Sequence, residues 1–463
     1  MATKSGQGCT EKRVDMKRMS AAALLWSSCL AMLTIGVNST AIMAALPTMR
    51  TELLLGSAGL QWAVNAYLVV AAACIVPGGH AADWFGARRT SMLGLAMLAI
   101  ASCVIAAAGT QAELIAGRAL QGFAAALAVP GTLAAVSTGA PPERRTAAIG
   151  AWTGFLMLGF SIGPLLGGAL THFASWRMIF VLNVPLTLVA IAGIASAGAA
   201  TPVANAGPPP RADWLGFLLS GTFMVALVFT LQSAPRATVA PASFIAPFAV
   251  AAAAFLLLLA AEARTTKAPL VDLTFFRHRT FVMGVAIGSL GMFSILSLLL
   301  YFNLYAQGRD GPGFTALEAG ASLLPLSGVL FAIALSASAI AARIGLRHAM
   351  AAGMVLLAIA SAIVAVAVEQ GWIVILLVGL ALIGAGLALP YALAPRLALS
   401  ALAPAQTGQG SGIVNACTFL SGSAGVACGA IAFAAGGFVA VLTMIALIAI
   451  AGAALSYAIA ETG

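Results

Sequence analysis

Residues able to do chemistry are scarce in this chain, so the few that interrupt its apolar stretches carry the argument. Arg118 stands in LIAGRALQGF with Gln121 three residues on, Asn38 stands in TIGVNSTAIM, and Gln61 and Asn65 stand in LQWAVNAYL. A guanidinium keeps its charge under all conditions a protein meets, and inside a bilayer it costs several kcal/mol unless paired or hydrated. Arg118, read as the only Lys or Arg inside a span, is therefore expected to face a cavity or a partner. Gln121 at i+3 shares its helical face and is placed to hydrogen-bond it. Glu113, five residues before Arg118, points elsewhere. Counting from span ends puts Asn38, Asn65 and Arg118 at a similar depth, with Gln61 one turn above Asn65. Three helices then bring polar side chains to one level, which reads as one wall of a substrate cavity. Amides that merely tie helices together are the alternative. Trp152, Tyr301, Tyr305 and Asn415 are taken as further lining.

Other chemistry is not indicated. The chain has no HExxH, no nucleophile–base spacing and no pair of carboxylates within an apolar run, so an enzyme is not expected. Its six cysteines show no paired spacing, so no disulfide, metal or cofactor is expected. Nor does a single chain of this kind suggest the ring of a channel filter.

The elements that must position these residues follow from composition. Of 463 residues, 62% are hydrophobic and 8% charged, which leaves too little polar surface for a soluble chain. Apolar runs of about 20 residues, each enough for one crossing, recur fourteen times, from 20–47 to a closing pair at 407–435 and 437–459. The net charge of +9 reads as topology rather than nucleic-acid binding. With both termini inside, 17 of 22 Lys and Arg residues fall in cytoplasmic segments, the positive-inside pattern.

Glycine marks an internal repeat. An offset of 262 carries Gly117 to Gly379, Gly122 to Gly384, Pro142 to Pro404, Gly163 to Gly425 and Gly167 to Gly429; an offset of 259 carries Gly86 to Gly345. The expected organisation is a cytoplasmic tail at 1–19, a six-helix bundle at 20–200, a linker with two extra spans at 201–279, and a second six-helix bundle at 280–463. That is an all-α polytopic membrane protein, arranged six, two, six with pseudo-two-fold related halves and a substrate site between them.

The stretch GFLMLGFSIGPLLGG, residues 154–168, concentrates five glycines and a proline inside a span. Gly154, Gly159, Gly163 and Gly167 run down one side of the helix and allow close approach of a neighbour. Pro164 removes one backbone hydrogen bond. A pliable seam between the two halves is the expectation.

With these motifs in order, the chain resembles the major facilitator superfamily, and within it the fourteen-span drug:proton antiporters. Gly154, Gly159, Gly163, Pro164, Gly167 and Gly168 resemble the fifth-span antiporter motif, and RALQG (118–122) the fourth-span motif built on arginine. GGHAADWFGARR resembles the loop motif between spans two and three, with Gly79, Asp83, Gly86, Arg88 and Arg89 at its positions. The resemblance implies the major facilitator fold and export of small amphipathic compounds by alternating access. It also implies protons as coupling ion, a bacterial inner-membrane location, and a functional monomer whose partners are substrate and lipid. A dedicated exporter of one endogenous metabolite is the alternative. One departure matters: Asn38 occupies the place where the family pattern carries a first-span aspartate. A positive Arg118 without that carboxylate is expected to favour neutral or anionic substrates over cations.

Overall fold

A computed structural model describes residues 3–197, 213–234, 241–264, 273–402 and 406–457. Among them every regular element is helical: α1 (Thr3–Glu52), α2 (Ser57–Phe85), α3 (Ala87–Ala106), α4 (Gln111–Gly139), α5 (Arg145–Phe173), α6 (Arg177–Ser196) and α7 (Trp214–Ser233). These are followed by α8 (Pro241–Arg264), α9 (Arg279–Ala306), α10 (Ala316–Ser322), α11 (Leu324–Ile344), α12 (Leu346–Gln370), α13 (Ile373–Ser400) and α14 (Thr407–Tyr457). Thirteen described helices are long and apolar enough to cross a membrane, and the last of these runs 49 residues. That is about twice one crossing. It is broken at Gly436 (φ −159°, ψ 32°) and Gly437 (φ 62°, ψ −154°), so two arms follow one another at the break expected from sequence. Gly437 adopts a conformation that side chains forbid. The expected span at 315–341 is one 29-residue crossing, Ala316–Ile344. It is interrupted at Leu323, where Pro325 opens α11. The Pro-rich linker at 200–211 and Pro404 lie outside the described residues.

The packing of the first six helices recurs in the last six. α1 lies along α5 and α9 along α14; α2 and α3 pack on α4, and α11 and α12 pack on α13. The repeated glycines sit at matching contacts. A Cβ on Gly117 would meet the Ile105 side chain of α3, and one on Gly379 the Val364 side chain of α12; Ile105 and Val364 are themselves 259 apart. Gly122 faces the carbonyl of Tyr67, and Gly384 faces that of Leu326, again 259 apart. Gly163 packs on Thr40 and Ala41 of α1, and Gly425 on Phe293 of α9. Gly86 and Gly345 turn the chain with nearly one geometry, φ 90° and ψ 137° against φ 86° and ψ 147°. Both are left-handed turns that suit glycine.

Two faces bound the helices. The far face carries the turns at 53–56, 107–110 and 174–176 and is tied together by Arg177, whose Nη1 lies 2.8 Å from Glu52 Oε2 and whose Nη2 donates to the Ala108 carbonyl at 3.0 Å. The near face carries the turns at Gly86 and Gly345, and His348 there lies against Tyr457 of the last helix. α7 and α8 pack on each other, and α7 touches α2 and α14. With α2 they enclose an apolar cleft of about 520 Å³. It opens on the flank of the molecule, where Leu218 and Val250 are exposed.

Candidate functional site

Close backbone contacts bring the polar side chains of the first six helices to a single point. Glycine at 122 lets α4 approach the carbonyl of Tyr67 on α2, and this sets Arg118, one turn earlier, against the same helix. Arg118 is completely buried. Its Nε donates to the Ala63 carbonyl at 3.0 Å, and its Nη1 to Gln121 Oε1 at 2.7 Å. The guanidinium carbon lies 4.6 Å from the centre of the Tyr67 ring, a favourable place for a cation. Gln121 passes the network on. Its Oε1 also accepts from Asn38 Nδ2 at 3.3 Å, and its Nε2 donates to Ser102 Oγ at 2.9 Å. Asn183 Nδ2 on α6 donates to Asn38 Oδ1 at 2.9 Å and reaches Ser102 Oγ at 3.4 Å. Five helices, α1 to α4 and α6, thus meet at one buried polar knot.

Among the described residues the knot holds no counter-charge. Arg177–Glu52 is the ion pair among the described residues, and Arg118 Nη2 is buried without a hydrogen-bond partner. Asn65 is also wholly buried, with neither amide atom partnered, and Gln61 Oε1 is buried and unpartnered. Arg118, Gln121 and Asn38 are therefore brought together as their depths suggested, whereas Asn65 makes no bond to them.

The remaining expected lining residues are dispersed. Trp152 donates its Nε1 to Thr132 Oγ1 at 3.1 Å. Tyr301 donates its hydroxyl to the Val426 carbonyl at 2.6 Å, which fastens α9 to α14. Tyr305 stacks on Phe438, and Asn415 Nδ2 donates to the Ser411 carbonyl of its own helix. Where α1, α5, α9, α11 and α13 converge, a narrow crevice of about 20 Å³ is lined by Thr40, Met157, Phe160, Met292, Leu330 and Tyr391, among others.

The glycine strip of α5 does not lie where the sequence suggested. Gly159, Gly163 and Gly167 face Leu33, Thr40 and Ala41 of α1, inside the first group of helices, and Gly154 meets nothing within 4 Å. The contact with the later helices is made by the adjoining edge: Gly168 faces the Ala316 carbonyl, and Gly320 faces the Pro164 carbonyl. The seam expected of the strip thus belongs to Pro164 and Gly168. The reason is angular, since residues one apart on a helix point about 100° apart. Gln307 Nε2 adds a bond to the Ala44 carbonyl at 3.0 Å, so these closures gather toward the far face.

Comparison with known proteins decides what this arrangement is. The family model described as Major Facilitator Superfamily matches residues 28–426. The chain belongs to the major facilitator superfamily. Over 327 residues it is 31% identical to the tetracenomycin C resistance and export protein of Streptomyces glaucescens, covering 70% of this chain and 59% of that one. It is 30% identical to the methylenomycin A resistance protein of Bacillus subtilis, covering 63% and 62% respectively. It is 29% identical to the multidrug resistance protein Stp of Mycobacterium tuberculosis, covering 84% and 71%. The aligned part therefore spans about three fifths of the first two relatives. A crystal structure of an auto-inhibited POT family peptide transporter shares the fold at a TM-score of 0.66 and 16% identity, covering 95% of this chain and 96% of that one.

Within this superfamily member the loop motif is open. Asp83 and Arg89 are exposed, Gly79 and Arg88 are half-buried, and Gly86 makes the turn. Asp83 and Arg88 form no ion pair among the described residues; His80 stacks on Trp84 instead. Sequence reading missed Asn183, Ser102 and Tyr67 at the knot, and Tyr391 in the crevice. A lone amide in the apolar run FVLNVPL was a usable signal for Asn183. It also missed Arg396, which lies within α13 and donates its Nη1 to Ser338 Oγ at 2.9 Å.

Proposed function

We propose that this protein exports small amphipathic compounds by alternating access. Two six-helix bundles, α1–α6 and α9–α14, rock about the central crevice, and α7 and α8 form an added pair beside them. The observation that carries this reading is the crevice itself: both bundles line it, and the α5–α10 contacts close it toward the far face. The near face, with Arg88, Arg89, Arg144 and Arg145, is cytoplasmic by the charge rule. The protein then sits in a bacterial inner membrane and works as a monomer. Relatives named for drug and antibiotic resistance support the outward direction.

Proton linkage is weak in this proposal. Among the described residues, Asn38 replaces the carboxylate at the knot, and Glu113 is committed to the α4 cap through Gly109 and Thr110. Restoring the carboxylate by Asn38→Asp should improve transport of cations and steepen its dependence on external pH; an unchanged pH profile would remove Asn38 from the coupling argument. A narrower reading, export of one endogenous metabolite, is favoured by relatives named for single antibiotics. Expression in a host stripped of its pumps, challenged with a panel of toxic compounds, separates the two: resistance to many unrelated compounds supports the broad exporter. No resistance, with no saturable counterflow in vesicles, would refute export. Orientation has its own check. A cysteine at Gly311 should react with an impermeant thiol reagent in intact cells, and one at Glu143 should not; the reverse pattern overturns the assignment.

A further inference from the structure

The geometry points to an anion-binding subsite at Arg118: its free Nη2 and the ring-covered guanidinium take the oxyanion of a small amphipathic acid. Four observations converge on it. Arg118 is fully buried and always charged. Among the described residues it has no carboxylate within ion-pair distance. Two of its nitrogens are spent on neutral acceptors, the Ala63 carbonyl and Gln121 Oε1. The third, Nη2, is buried with no acceptor at all.

Two carboxylates toward the far face are held elsewhere. Glu113 accepts from the backbone of Gly109 and Thr110 at the start of α4. Glu52 accepts from Trp176 Nε1 at 2.7 Å and from Arg177. Carbonyl dipoles and an aromatic face offset part of a buried charge, but not a full unit of it. A cation held this way is stabilised further by any anion that reaches it. An oxyanion accepts from the two free N–H groups of Nη2, a charge-assisted bond roughly twice as strong as a neutral one.

The corresponding place in the later helices argues that burial of a charge here is not a packing need. The offset that pairs Gly117 with Gly379 and Gly122 with Gly384 puts Leu380 opposite Arg118, and Leu380 is equally buried. The same backbone approach is thus achieved with an alkyl chain. The inference rests on the export reading for its route of access, since the knot opens only when the helices part. The anion has two possible sources, the carboxylate of an exported acid or free chloride, and both would meet the same two N–H groups.

The test uses the purified full chain, with 1-naphthoate, 1-naphthamide and chloride as probes and gluconate holding ionic strength constant. Naphthoate should raise the melting temperature of the wild type, and Arg118→Gln should weaken its binding tenfold or more. Asn38→Asp should do the same while keeping the arginine, because it supplies an internal counter-charge on a side chain that meets the same Gln121 as Arg118. Asn38→Leu, which removes the same amide without adding charge, should weaken naphthoate binding less than Asn38→Asp does. If naphthoate shifts melting and chloride does not, the site takes the substrate's own carboxylate; if chloride gives the shift and competes, the site takes the free ion. Equal shifts from naphthoate and naphthamide, or shifts unchanged in both Arg118→Gln and Asn38→Asp, overturn the subsite. Counterflow in proteoliposomes keeps the two claims apart. Binding without flux of any compound defeats the export reading alone, and flux without Arg118-dependent binding defeats the subsite alone.

Discussion

At one level of the fold α4 buries Arg118 and Gln121, and at the equivalent level α13 buries Leu380 and Ile383. The glycines that flank these positions meet matching neighbours, side chain for side chain at Gly117 and Gly379, carbonyl for carbonyl at Gly122 and Gly384. Ser102 of α3 accepts from Gln121, whereas its counterpart Ser361 of α12 bonds only the Leu357 carbonyl of its own helix. One backbone plan is therefore built twice, once around a charge and once around alkyl chains. At the equivalent level of α13 this backbone plan is built without a charge. What the fold requires, close helix approach through glycine, is common to both groups of helices; what differs is available for function.

The largest way to break this comparison is to import the charge into the apolar side. Leu380→Arg should cost ~3 kcal/mol or more, because Ile383 stands there in place of Gln121, and the protein should fail to accumulate in membranes. Normal accumulation would mean that α13 already offers a polar environment. Next in size is the backbone contact itself. Gly163→Leu and Gly425→Leu should each cost ~1–3 kcal/mol through overpacking, the first by driving α5 from α1 and the second by driving α14 from α9. Both should abolish vesicle counterflow, and a thermal melt that falls for one but not the other would break the equivalence of the two groups. The smallest effect should come from Asn183→Leu. It removes the bond to Asn38 and the longer one to Ser102, each worth ~0.6 kcal/mol or less by the usual interhelical value in membranes, and should lower the melting temperature slightly while slowing transport several-fold.

Much of the fold was legible in residue order because its signals are physical necessities. Apolar length sets the crossings. The division of the apolar runs at 407–435 and 437–459 marked the break between the last two, and the recurrence of glycine at fixed offsets marked the two groups. The knot was legible in part: depth counting brought Arg118, Gln121 and Asn38 together, since helical rise is regular. Direction was harder. The strip Gly159, Gly163, Gly167 announced a close contact but not its partner, and the neighbour proved to be α1 because the rotation of α5 is set by its packing on both sides. Tyr301 and Asn415 were read as cavity residues from type alone, yet each has a backbone acceptor within reach. Polar residues in a membrane helix commonly have one, and no sequence pattern shows which of them do.

The central claim is that the charge at the knot serves transport and not folding, and the double variant Arg118→Leu with Gln121→Ile tests it most directly by copying the residues of α13 into α4. Replacing a buried charge and its partner together by apolar groups of similar volume is commonly neutral or stabilising. Melting of the purified variant should therefore stay within a few degrees of wild type or rise, while counterflow of the compounds exported by the wild type should vanish. A variant that loses its melting transition would show that the knot holds the bundle together, and one that transports at the wild-type rate would show that the charge has no part in export; either result contradicts the account.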